Sequence, residues 1–206
     1  MIVVGLTGSI GMGKTTASAM LRELGLPLFD ADRVVHRLLS PGGAAVLSVA
    51  EAFPGVRAQN GGINRGLLGQ RVFGDALELK RLEAILHPMV ARNEKDFLGR
   101  VRARREPIAV LDIPLLFETG AESRCDYVIV VSAPAFLKRQ RVLRRPGMTE
   151  IRFAAILRKQ TPDHDKRRRA DFTVPTGAGR ALTLRRLRTI ITLLRGHRRA
   201  LCAVTG

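Results

Sequence analysis

The chain has 206 residues, 46% of them apolar and 4% aromatic, with 35 Lys and Arg against 18 Asp and Glu for a net charge of +17. This suits one compact domain with small inserted lobes and a core of Leu, Val, Ile and Ala, and the basic excess favours anionic partners: nucleotides, nucleic acid or other phosphorylated molecules. Cys125 and Cys202, far apart and without CxxC spacing, exclude a disulfide framework and a zinc site, and no apolar run reaches membrane-spanning length.

"MIVVGL" is a short apolar run closed by glycines and reads as a buried strand. It has no basic start or long apolar core, so no signal peptide is expected and a cytoplasmic location follows as the expectation. After Thr16, residues Ala17, Met20, Leu21 and Leu24 recur at helical spacing until Gly25. "LPLFDAD" predicts a second strand with Asp30 and Asp32 at its C-terminal edge. "PIAVLDIPLLFE" predicts a third, ending at Asp112; "DYVIVVSAP" a fourth; and "ADFTVP" a weaker fifth. Between the second and third strands lie residues 33–107, helical in pattern and broken at "SPGG", "FPGV" and "QNGGIN", which reads as an inserted helical lobe. A basic stretch over 138–169 separates the fourth and fifth strands. From Leu182 to Leu194 an amphipathic helix is predicted, with Leu184, Leu187, Ile191 and Leu194 on one face and arginines on the other. Strands alternating with helices predict an α/β fold, a parallel sheet with helices on both faces.

Gly8-Ser9-Ile10-Gly11-Met12-Gly13-Lys14-Thr15 fits G-x-x-x-x-G-K-[ST] at every fixed position, with a strand before it and a helix after it. Glycines let the backbone wrap an anion, and the helix N-terminus adds unpaired N–H groups and the positive end of its dipole. Lys14 can reach the β- and γ-phosphates, and the Thr15 hydroxyl suits a Mg²⁺ ion. The motif is therefore read as a phosphate cradle, a device common to motors, switches and small-molecule kinases.

The carboxylates narrow this range. Asp112 follows the apolar run "IAVL", where it can hold Mg²⁺ directly or through water. Asp30 and Asp32 sit where ligands of open α/β sheets gather. Asp32 could accept a proton from an attacking hydroxyl, or could simply cap the helix that follows, and its spacing does not choose between the two. Arg139, Arg141, Arg144 and Arg145 crowd one segment, and Arg141 and Arg145, four apart, share a helix face from which guanidinium groups can neutralise transferring phosphates. His36, His87, His164 and His197 show no metal spacing, and His87-Pro88 is expected to end a helix.

In this order, "GLTGSIGMGKTT", "DADRVVH", "LEAILHPMV", "VLDIPLLFETG", "CDYVIVVSAP", "RVLRRPGMT" and "ILRKQTPDHDKRRRADF" resemble the dephospho-coenzyme A kinase family, from about Ile2 to Gly179. The cradle is generic; "DAD", "HPMV" and "DIPLLFE" discriminate. The resemblance implies a P-loop kinase core over about 1–32, 108–137 and 170–206, a helical substrate lobe over about 33–107 and a lid over about 138–169. It implies phosphorylation of the ribose 3′-hydroxyl of dephospho-CoA by ATP, the last step of coenzyme A synthesis. On this reading ATP lies on Gly11, Met12, Gly13, Lys14, Thr15 and Thr16, with Arg145 beside it. Lys14 and Arg141 stabilise the transferring group, and Asp32 orients the hydroxyl. Asp30, Asp32, Arg65 and His87 face the acceptor, and Thr15 and Asp112 hold Mg²⁺.

Three positions depart from the family's usual pattern. Asn60 stands where an acid opens a "DG" element, Pro146 follows the second lid arginine in place of an aspartate, and Pro175 ends the fifth strand. Two other readings remain: a kinase of another hydroxyl, such as a nucleoside's, and a nucleic-acid-binding ATPase. A single tyrosine and no tryptophan speak against the second, because such grooves stack bases on aromatics. No specific nucleic acid and no membrane partner is expected, and the assembly expected is a monomer or a weak homo-oligomer.

Overall fold

The computed structural model describes residues 1–72 and 74–204, with side chains through 196, so His197 and Cys202 lie outside the described side chains. The chain divides into two compact units, Met1–Phe29 with the chain from Val101 on, and Asp30–Arg100.

The first unit is built on a five-stranded sheet of β1 (Ile2–Thr7), β2 (Leu28–Asp30), β3 (Ile108–Asp112), β4 (Tyr127–Ser132) and β5 (Phe172–Pro175), in the order β2-β3-β1-β4-β5. β1 runs parallel to β3 and to β4, and β4 runs parallel to β5. Parallel strands are covered on both faces and therefore read as unbroken apolar runs; every residue of β3 is buried. One face takes helices α1 (Lys14–Glu23) and α9 (Arg180–Val204). Ala17, Met20 and Leu21 of α1 and Leu187, Ile190, Ile191 and Leu194 of α9 join Val4, Leu6, Ile129 and Val131 in one apolar cluster. Two acids just before strands fix register: the Asp126 carboxylate accepts the Val3 N–H at 2.7 Å, and the Asp171 carboxylate accepts the Val128 N–H at 2.7 Å.

The second polar stretch supplies α6 (Ala135–Leu143), α7 (Glu150–Arg158) and α8 (Asp163–Arg169). Between α6 and α7 the Met148 N–H returns to the Arg145 carbonyl, with Gly147 at φ 71°. That is the geometry of a type II turn, for which Pro at the second position and Gly at the third are suited, and it accounts for Pro146. Pro175, the last residue of edge strand β5, sits where a missing donor is tolerated, and its carbonyl accepts the Thr183 hydroxyl at 3.0 Å.

The second unit is helical: α2 (Ala31–Leu39), α3 (Val46–Ala52), α4 (Arg65–Val72) and α5 (Ala76–Ala103), the last running on past the unit's edge. Leu38, Val46, Val49, Phe53, Val56, Ile63 and Leu68 form its buried interior. Asn60 accepts the Gly62 N–H through its side-chain oxygen at 3.1 Å, so the amide supplies a local acceptor of the kind an aspartate would. Asn64 caps α4 through the N–H groups of Gly66 and Leu67.

Two expectations about element ends fail. His87-Pro88 does not end a helix: Pro88 lies inside α5, which continues to Ala103. Proline removes one backbone donor and crowds the preceding turn, but a helix this long retains the bonds on either side. Asp32 is also not at a strand edge. β2 stops at Asp30, and Asp32 belongs to the first turn of α2.

The dependence of the sheet on α9 is testable at Leu187, which is fully buried. Leu187→Ala should lower the unfolding free energy by about 2–5 kcal/mol, read from the urea midpoint at unchanged slope.

Candidate active site

Leu6 of β1 lies opposite Asp112 of β3, so the loop leaving β1 begins beside that acid. The Thr7 hydroxyl donates to the Pro114 carbonyl at 2.9 Å, and the Ile113 N–H donates to the Leu6 carbonyl at 3.1 Å, fastening the two strand ends together. Within the loop, Gly11 and Gly13 have φ of 77° and 84°, a region L side chains avoid. A Cβ on Gly11 would also lie 2.7 Å from Val142 and 2.9 Å from the Lys138 carbonyl.

Helix α1 starts on Gly13 with no side-chain cap and no acid in its first turn among the described residues. Its first N–H groups therefore keep the positive end of the dipole for an outside anion. Thr15 is exposed and Thr16 half-buried in that turn. Met12 behaves differently from its neighbours. Its N–H closes on the Ser9 carbonyl, its side chain is buried, and its sulfur faces the Ala133 N–H at 3.1 Å. The residue shapes the cradle from behind.

Asp112 is 3% exposed, and both of its oxygens are engaged. Oδ1 pairs with the Lys14 ammonium at 2.5 Å, and Oδ2 accepts the Ser18 hydroxyl at 2.5 Å. Sequence reasoning picked out the acid and the lysine. It missed Ser18, one turn further along α1, which a helical-spacing check from Lys14 would have found.

Arg141 is half-buried and braces the loop. Its guanidinium donates to the Thr176 carbonyl at 2.9 Å and reaches the Gly11 carbonyl at 3.4 Å. The Thr176 hydroxyl donates to the Met12 carbonyl at 2.7 Å. Thr176 is a second residue that the sequence reading missed. Arg145 is exposed in the turn just beyond α6, so it does not share a helix face with Arg141 as the four-residue spacing predicts; the helix stops at Leu143.

A third group ties the chain after β3 to α8. Lys166 is completely buried, and its ammonium stands 2.8 Å from Glu118, which also accepts the Thr161 N–H at 2.7 Å. Burial pushes the Glu118 carboxyl up, but the Lys166 ammonium and backbone N–H donors outweigh that and hold it below the usual carboxylate value. Nearby, the Ser132 hydroxyl donates to Asp163 at 2.7 Å, and the Arg169 guanidinium pairs with Glu122 while lying 4.4 Å over the Phe117 ring.

The second unit holds the remaining predicted residues. Asp30 caps α2, accepting the Arg33 N–H at 3.0 Å, so the capping role left open for Asp32 belongs to its neighbour. Asp32 is exposed in the first turn of α2, Arg65 opens α4 and is exposed, and His87 is exposed in the middle of α5.

A parallel α/β sheet carrying a glycine loop and an uncapped helix start, whose first lysine pairs with an aspartate at the C-terminal end of the adjacent strand, defines a P-loop kinase fold. A family model described as dephospho-CoA kinase matches residues 2–179. A dephospho-CoA kinase of Paramagnetospirillum magneticum is 58% identical over 200 residues, covering 97% of this chain and 94% of the relative. A crystal structure from Thermus thermophilus superposes with a TM-score of 0.83 at 34% identity, covering 93% of this chain and 96% of the other. The dephospho-CoA kinase of Campylobacter jejuni shares the fold, with a TM-score of 0.65 at 22% identity and the same coverage. The chain belongs to the dephospho-CoA kinase family, the kinases of the last step of coenzyme A synthesis. Among the described residues no helix is long and apolar enough to cross a membrane.

Removing one partner of the buried pair should be costly. Lys166→Met is expected to lower stability by about 3–5 kcal/mol in chemical denaturation, because Glu118 loses its counter-ion. Since the Glu118 carboxyl is held low in the fold, its contribution is present above its unfolded value and is lost as pH falls through the folded one. The melting temperature of Glu118→Gln should therefore fall less steeply in that acid range than that of the unmodified chain.

Proposed function

We propose that the chain transfers the γ-phosphoryl group of ATP to the ribose 3′-hydroxyl of dephospho-CoA, with Asp32 orienting that hydroxyl and taking up its proton. The single observation that carries the reading is the glycine loop tied to Asp112 through Lys14 and Ser18, in a chain of this family. Phosphate oxygens meet the N–H groups of residues 11–16, of which Met12 is already committed to Ser9. Lys14 uses one of its three N–H donors on Asp112 and keeps the others for phosphate. Arg141 bears on the phosphates while its Nη atoms hold the carbonyls of Gly11 and Thr176, and Arg145, four residues on, shares the charge. Asp30 holds the start of α2, which carries Asp32. Arg65 and His87 lie on the helical lobe over about 33–107, the part assigned to the acceptor; of the segment over about 138–169, the part before Gln160 serves as the lid, while residues 160–166 are fastened to the sheet and the phosphate loop.

The residues at the loop fit a divalent ion. The Thr15 hydroxyl and the Asp112 carboxylate are hard oxygen donors, each Asp112 oxygen accepts one bond among the described residues, and Mg²⁺ takes few protein ligands when phosphate oxygens supply the rest. Bound with ATP, it neutralises charge on the β- and γ-phosphates.

Exposure of Asp32 suits a base that meets a polar acceptor in water, and its place in the first turn of α2 keeps its backbone fixed. Asp32→Asn should lower kcat by about 100-fold or more while the Kd for ATP stays close to the original value. Loss of ATP binding in that variant would mean the acid serves the nucleotide instead. A coupled assay of ADP release should show turnover with dephospho-CoA, none with free nucleosides, and no stimulation by RNA or DNA.

A further inference from the structure

Gln160 has no part in the chemistry described above, yet it touches the phosphate loop. It follows directly on the C-terminal end of α7, where its own N–H closes on the Leu157 carbonyl. From there its side-chain oxygen accepts the Ile10 N–H at 3.0 Å, across 150 residues of sequence. The donor is a backbone N–H, so the oxygen of the amide must be the atom that faces it. Ile10 lies between Gly8 and Gly11, at the part of the loop that must keep its shape for the neighbouring N–H groups to converge.

The segment carrying Gln160 is itself fastened. The next residue, Thr161, donates its N–H to Glu118, which pairs with the fully buried Lys166. Asp163 accepts the Ser132 hydroxyl at the end of β4. Residues 160–166 are thus tied to the loop after β3, to β4 and to the phosphate loop at once. A buried lysine is expensive unless it is paired, and here the pair anchors a segment whose first residue holds Ile10.

We infer that Gln160 is a positioning residue for the phosphate loop, set by the Lys166–Glu118 pair and acting through the Ile10 N–H to hold the loop in its binding shape. This rests on the reading of that loop as the ATP cradle. A loop held in its bound shape binds without an ordering cost; a loop released from Gln160 has to be ordered by the nucleotide. Once ATP is bound the cradle is the same, so the effect falls on KM for ATP and leaves kcat and the KM for dephospho-CoA unchanged.

The test is steady-state kinetics on the full chain with both substrates varied. Gln160→Leu keeps the bulk and removes the acceptor, and it should raise KM for ATP by roughly tenfold, the effect of one hydrogen bond. The kcat and the KM for dephospho-CoA should stay within about twofold, which a merely unstable protein would not show, since a smaller folded fraction lowers apparent kcat and spares KM. Gln160→Glu keeps an oxygen at the same reach, and its KM for ATP should lie between those of the unmodified chain and Gln160→Leu. An unchanged KM for ATP in Gln160→Leu, an equal rise for both substrates, or a Gln160→Glu value above that of Gln160→Leu would each overturn the inference. Lys14→Met run alongside separates the two layers. If it is inactive, any of those results strikes Gln160 alone, whereas full turnover by Lys14→Met would overturn the cradle reading beneath it.

Discussion

A carboxylate buried at the end of β3 has to be satisfied where it stands, and much of the site follows from how that is done. Asp112 is almost sealed from water, and an unpaired charge there would cost several kcal/mol, of the order of the whole stability of a domain. Its two oxygens are met by Lys14 and Ser18, four residues apart on one face of α1. Satisfying the acid therefore docks the helix, and docking the helix fixes Gly13, from which the helix starts. The same bonds that make the sheet edge tolerable aim the helix N-terminus at the place where phosphate is handled.

The loop between β1 and α1 is held from several directions, and its holders come from distant stretches of chain. Thr176 and Arg141 take the carbonyls of Met12 and Gly11, and Gln160 takes the N–H of Ile10. These three loop groups are occupied by protein, whereas the first turn of α1 has no side-chain cap among the described residues. Arg141 braces two carbonyls with one guanidinium, whose planar fork of donors reaches Gly11 and Thr176 together.

The sheet, its flanking helices and the phosphate loop were legible in the sequence because each is written locally. β3 and β4 are unbroken apolar runs, and the glycines, lysine and threonine of the loop are contiguous. Asp112 was legible because it ends such a run. Thr176, Gln160 and the pairing of Lys166 with Glu118 were not, since each is a polar residue whose partner lies 48 to 164 positions away and nothing nearby marks it out; Ser18 had only its helical spacing from Lys14 to point to it. At "DAD" the two acids are close enough in sequence to exchange roles on paper; geometry gave the cap to Asp30 and left Asp32 a turn position. At His87-Pro88 the local rule lost to the length of α5, whose remaining bonds carry the helix through.

Edge strand β5 is only four residues long and finishes on Pro175, whose ring nitrogen carries no hydrogen for a ladder. Open sheet margins invite foreign strands to add on, and a short margin ending in an imino acid offers them little to pair with. Pro175 thus leaves the sheet blunt on that side, which disfavours fibril-like self-association.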